Sequence, residues 1–86
     1  MNKYYYLATN TWGHGRAIES GNGWSVTAYK SEETRDKIYD ELSYTITGCF
    51  IPSLSEVAEI FGTTQWGICE GIQYDDGGFE CGVCED

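Results

Sequence analysis

From Ile38 to Asp86 the chain carries no lysine, arginine or histidine. The same 49 residues hold ten carboxylates: Asp40, Glu41, Glu56, Glu59, Glu70, Asp75, Asp76, Glu80, Glu85 and Asp86. The first 37 residues carry five basic side chains against four acids, so +1 in one part and −10 in the other give the total of −9. A stretch of one charge sign folds only if it also carries enough apolar surface to offset the entropy of ordering. This one does, because Val57, Ile60, Phe61, Trp66, Ile68 and Ile72 are spread through it. Its acids are therefore expected at fixed spacings on a rigid surface and not along a tail.

At 86 residues the chain makes one domain, expected to span residues 1–86. A chain of this size buries only roughly 60–65% of its unfolded surface, so each core side chain matters. Seven tyrosines, three tryptophans and three phenylalanines supply large buried areas per residue and make one core feasible. The N-terminus, beginning Met1-Asn2-Lys3-Tyr4, has no apolar run resembling a signal peptide, and no run approaches a membrane span. A cytoplasmic location is the expectation, the host cell's cytoplasm if a phage encodes the chain. Thiols stay reduced there.

Residues 3–8 alternate as an aromatic-rich strand. A glycine-rich loop around Trp12 to Arg16 follows, then a short strand near residues 16–19. Asn22-Gly23 makes a hairpin into a clearer strand, residues 24–29, in which Trp24, Val26 and Ala28 mark one buried face. Ser31 caps a helix running to about Leu42, with Glu32 and Glu33 in its first turn and Ile38 and Leu42 inward. Residues 44–51 read as a strand interrupted near Gly48.

The clearest local signal comes next. Ser53 and Glu56 form a capping box, and Leu54, Val57, Ala58 and Phe61 mark an apolar stripe at helical spacing that Gly62 ends. On that reading Glu56 and Glu59 point outward with Ile60 beside them. A strand over residues 65–74 turns through Asp75-Asp76-Gly77-Gly78 into a last strand, residues 79–84. Strands and helices mix without a regular βαβ repeat. The expected class is α+β, a small and mostly antiparallel sheet of about four to six strands with two short helices.

Catalytic and metal chemistry find little support. Cys81-x-x-Cys84 has ligand spacing, yet Cys49 and Cys69 stand alone and His14 is the chain's single imidazole. The cysteines are expected to be reduced and packed as small apolar groups, with no metal and no cofactor. A redox role is disfavoured because Glu80, Glu85 and Asp86 surround the pair, and negative charge opposes the thiolate. His14 has no nucleophile or acid tied to it by spacing, and no two carboxylates are marked as a buried acid–base couple. The chain is expected not to be an enzyme.

Residues Ser53 to Ile68 resemble a helix-turn-helix, with Ala58, Gly62 and Ile68 in the positions that motif favours. The recognition helix this implies would carry Gly67, Glu70 and Gly71 and no basic group. Phosphate contacts would be missing, so direct nucleic-acid binding is not expected. Membrane binding is not expected either, since anionic headgroups repel carboxylates.

The acids themselves remain as the functional signal. B-DNA presents one phosphate charge per ~1.7 Å of axis, and ten carboxylates on a small rigid domain approximate a short run of such charge. In size, acidity, aromatic content and lack of a catalytic signature the chain resembles small phage-encoded inhibitors of host defence. The nearest in character are the anti-CRISPR inhibitors, several of which resemble nucleic acid electrostatically and occupy DNA- or RNA-binding grooves. That resemblance spans the whole chain as overall character, with no shared motif or fold, so it transfers no residue. It implies a protein inhibitor whose partner is a basic, nucleic-acid-binding effector such as a CRISPR-Cas complex. The partner-binding set expected from the sequence is Asp40, Glu41, Glu56, Glu59, Ile60, Glu70, Tyr74, Asp75, Asp76 and Glu80. The alternative is a structural or zinc-stabilised protein-interaction module.

Overall fold

Alternating side chains in two adjacent strands set the centre of the molecule. A computed structural model describes residues 3–10, 24–44 and 48–83. Strands β1 (Tyr5–Asn10) and β2 (Ser25–Tyr29) pair antiparallel, with Tyr6 opposite Ala28 and Ala8 opposite Val26. Helix α1 (Glu32–Ser43), strand β3 (Gly48–Phe50), helix α2 (Leu54–Phe61), strand β4 (Trp66–Gln73) and strand β5 (Phe79–Val83) follow along the chain. All strands join one antiparallel sheet in the order β3-β1-β2-β5-β4, which is the α+β architecture read from the sequence. The last strand does not lie at an edge but slots between β2 and β4.

One face of this sheet carries the apolar core. Ala8, Val26, Ala28 and Cys81 meet Val57 and Ile60 of α2, and Tyr4, Tyr6, Trp24, Phe50, Phe61, Trp66 and Ile68 pack around them. Each fully buried aliphatic side chain here contributes about 1.5–3 kcal/mol through apolar burial. The aromatic groups meet edge-on, Tyr6 against Trp66 at 5.6 Å and Trp24 against Phe50 at 5.1 Å, the geometry their quadrupoles favour.

The opposite face is buried too, contrary to the expectation of a single buried face for β2. Ser25, Thr27 and Tyr29 are as inaccessible as Val26 and Ala28, because β2 lies in the middle of the sheet. Helix α1 belongs to this second face. It contacts β1, β2 and β3, none of its apolar residues joins the α2-side core, and Arg35 sits 5.7 Å over the ring of Tyr5. Ser31 caps it by accepting from the Thr34 N–H. Its buried residue is Arg35, while the expected inward pair, Ile38 and Leu42, is only half-buried. The guanidinium can be buried because Tyr6 O accepts from Nη1 at 3.2 Å and Asp36 lies 2.7 Å from Nε.

Local signals decide the ends of α2. Ser53 Oγ accepts from the Glu56 N–H and Glu56 Oε1 accepts from the Ser53 N–H, a complete capping box. Gly62 closes the helix at φ +68°, a left-handed position that favours glycine. The stripe is displaced from its expected line, however: Val57 and Ile60 are buried, and Leu54 is 62% exposed. Gly48 opens β3 where a Cβ would come within 2.7 Å of the Asn10 Cβ, so the sheet edge closes against a bare backbone. Residues 45–47, the strand near 16–19, the hairpin at 20–23, the loop at 12–16 and the end of the last strand lie outside the described residues.

Candidate functional site

Two grooves flank the start of α2. The first, of about 420 Å³, runs between the beginning of β1 and the turn Pro52–Leu54. Tyr4, Tyr5, Tyr6, Lys3 and Arg35 line it, with no carboxylate among its described lining residues. Its two cations both lie over the Tyr5 ring, Lys3 at 5.4 Å and Arg35 at 5.7 Å. The second groove, of about 250 Å³, is lined by Trp24, Phe50, Glu56, Glu59 and Ile60. Its described lining residues include two carboxylates and no cation. Glu56 and Glu59 are three apart on one helix face, the spacing that makes side chains neighbours.

The structure divides the ten expected partner-binding residues. Glu56, Glu59 and Ile60 come together in the second groove. Glu70, on the same sheet face as Trp66 and Ile68, is exposed on β4, where it accepts from the Tyr4 hydroxyl and lies 3.9 Å from Lys30. Asp40 and Glu41 are exposed on α1, on the far side of the sheet, and Asp75 is exposed at the β4–β5 turn. The carboxylates therefore do not gather on one face. Among the described residues, those on the α2 side are Glu56, Glu59 and Glu70.

Four expectations need correcting. Ile60 is 8% exposed and belongs to the core, so it forms the floor of the groove and not a projecting anchor. Tyr74 is half-buried, its backbone tied to the turn by an N–H donated to Gly78 O at 2.7 Å. Asp76 is half-buried as well, accepting from the Tyr29 hydroxyl and the Gly78 N–H, each at 3.0 Å. It is a turn-forming carboxylate, and Gly78 beside it admits no side chain, since a Cβ would lie 2.3 Å from Thr27 Cγ2. Glu80 is 6% exposed because β5 is interior, where it pairs with Thr27 on one side and Cys69 on the other. Glu80 is thereby withdrawn from the surface, while Tyr74 and Asp76 are half-exposed and committed in part to the turn.

Trp24 and Phe50 were absent from the expected set. They stand 26 positions apart, and only the pairing of β1 with both β2 and β3 brings them together. The alternation of Trp24 with Val26 and Ala28 did carry a signal for its face.

Of the described cysteines, Cys69 is exposed, Cys49 half-buried and Cys81 enclosed, so the expectation that all pack as small apolar groups holds for Cys81 and not for Cys69. Cys81 is fully buried, and burial foremost, then Cys69 and Glu80 nearby, push its thiol up to about 12. Tyr6 is raised in the same way, by burial first and by Cys81 second. No group of three or more histidine, cysteine, aspartate or glutamate side chains is placed to hold a metal among the described residues. No helix there is long and apolar enough to cross a membrane. Comparison with family models, with curated proteins and with solved structures finds no match for this chain.

Proposed function

We propose that the chain is a binding protein that meets a basic, nucleic-acid-binding surface through the α2 side of its sheet and so blocks access of DNA or RNA. The observation that carries this reading is the second groove, where two exposed carboxylates stand over aromatic and aliphatic walls with no cation among the described lining residues. Charge supplies steering and specificity, and the desolvated ring surface supplies affinity. The overall character of the chain, small, acidic and aromatic-rich, adds a CRISPR-Cas effector in the cytoplasm of a phage-infected host as the partner class. The set of contact groups is narrower than ten: Glu56, Glu59 and Glu70 on the α2 side, with Asp75 at the turn.

The zinc-stabilised alternative is carried by no observation among the described residues, which do not include Cys84. The test is substrate binding by purified CRISPR-Cas ribonucleoproteins with the protein added at equal concentration. Inhibition is expected at about 0.1 M salt and should fade toward about 1 M, as the Debye length shrinks from about 10 Å to about 3 Å. Replacing Glu59 and Glu70 by lysine should abolish it. Inhibition that ignores both salt and charge reversal would sink the reading.

A further inference from the structure

We propose that the groove formed by Trp24, Phe50, Glu56, Glu59 and Ile60 is a socket for one arginine side chain of the basic partner. This inference rests on the function proposed above and adds the chemistry of a single contact.

Four observations carry it. The groove measures about 250 Å³, below the roughly 300–1,000 Å³ of ordinary small-molecule sites, and suits a single long side chain. Its wall is an aromatic pair set edge to face, with centroids 5.1 Å apart and planes at 84°. A planar guanidinium stacks on such ring surface and is attracted by its quadrupole, with less hydration to lose than an ammonium. Its rim carries Glu56 and Glu59 on successive turns of one helix face. Glu56 is fixed by its hydrogen bond from the Ser53 N–H at 2.9 Å, so one carboxylate is held still before any ligand arrives. Glu59 is exposed and has no side-chain hydrogen bond or ion pair with a described residue. The floor is apolar, closed by buried Ile60, which favours the aliphatic stem of arginine. Lysine could bring the charge, but neither a stacking plane nor a donor fork that spans two carboxylates.

The test uses the full chain and two probes, the capped tripeptides Gly-Arg-Gly and Gly-Lys-Gly, titrated at low salt and followed by amide and indole NMR. The arginine peptide is expected to give saturable shifts at Trp24, Phe50, Glu59 and Ile60, and to bind at least about threefold tighter than the lysine peptide. Glu59→Gln should weaken it about fivefold, in the range of an exposed ion pair. Phe50→Leu, which keeps bulk and removes the ring, should also weaken it, whereas Asp40→Asn should leave it unchanged. Equal binding of the two peptides, or shifts centred on Asp40 and Glu41, would overturn the socket. An effector inhibited in a salt-dependent way with no loss in Glu59→Gln or Phe50→Leu would overturn the socket and leave the broader reading standing. Arginine-selective shifts without inhibition of any effector would support the socket and remove the broader reading.

Discussion

The tyrosine groove and the acidic groove lie on either side of the same helix start, yet their charged groups stand in different relations to the fold. In the tyrosine groove Arg35 is held by Tyr6 O, Asp36 and the Tyr5 ring, with Glu32 at 3.8 Å, and Lys3 also lies over that ring. In the acidic groove Glu56 is tied only through the capping box, and Glu59 is tied to nothing described. Among the described residues, the two cations of the tyrosine groove are engaged by the fold, whereas the Glu59 side chain of the acidic groove is not. The difference is what directs the proposed contact to the acidic groove, because a group already engaged by the fold has less to offer a partner.

The largest effect that tests this contrast is expected at Arg35. Arg35→Ala removes charge-assisted bonds from a buried backbone carbonyl and should cost about 2 kcal/mol in urea unfolding. A loss below about 0.5 kcal/mol would break the comparison. Next comes Cys81, an ionisable group enclosed by the fold. Burial raises its folded pKa to about 12, above the ordinary thiol value of 9.0, so the neutral thiol favours the folded state and the contribution is fully present below about pH 9. As pH rises above that, the unfolded thiol ionises first and stability falls, by about 1.4 kcal/mol per pH unit until the folded thiol follows. Cys81→Ala should flatten this alkaline slope, measured as the change of unfolding midpoint between pH 8 and 10. An unchanged slope would mean that the thiol is not enclosed.

Smaller effects sharpen the same line. Ser53 lines the tyrosine groove and Glu56 the acidic one, so their capping box couples the two. Ser53→Ala should cost about 1 kcal/mol and also loosen Glu56, visible as a weaker response of the acidic groove to arginine peptide. Smallest of all, Glu59→Ala should change stability by no more than about 0.5 kcal/mol. A larger loss would show that Glu59 serves the fold after all.

What the sequence disclosed depended on how local the cause was. Ser53, Glu56 and Gly62 act within one helix, so their roles were legible from spacing alone. Asp75–Gly78 was legible as a turn for the same reason. Glu80 and Asp76 were misplaced because their burial follows from β5 entering between β2 and β4, a non-neighbouring placement that no local pattern encodes. Ile60 was assigned outward because the apolar arc of α2 is broader than the narrow stripe drawn through Leu54. Arg35 escaped notice since a charged side chain is rarely buried without partners, and its partner is a backbone oxygen on another element.

The two edges of the sheet bear on how anything docks here. Among the described residues β3 offers three, and β4 departs from regular pairing between Cys69 and Gln73 while exposing Glu70 along its border. A short border and a kinked, charged one both discourage an incoming strand from continuing the ladder. Recognition by strand addition draws on main-chain groups that every polypeptide shares, which makes it permissive toward sequence. With those routes blunted, selectivity falls to side chains. Escape of a partner from such a contact then requires only a change in its own exposed residues, with no rearrangement of its backbone.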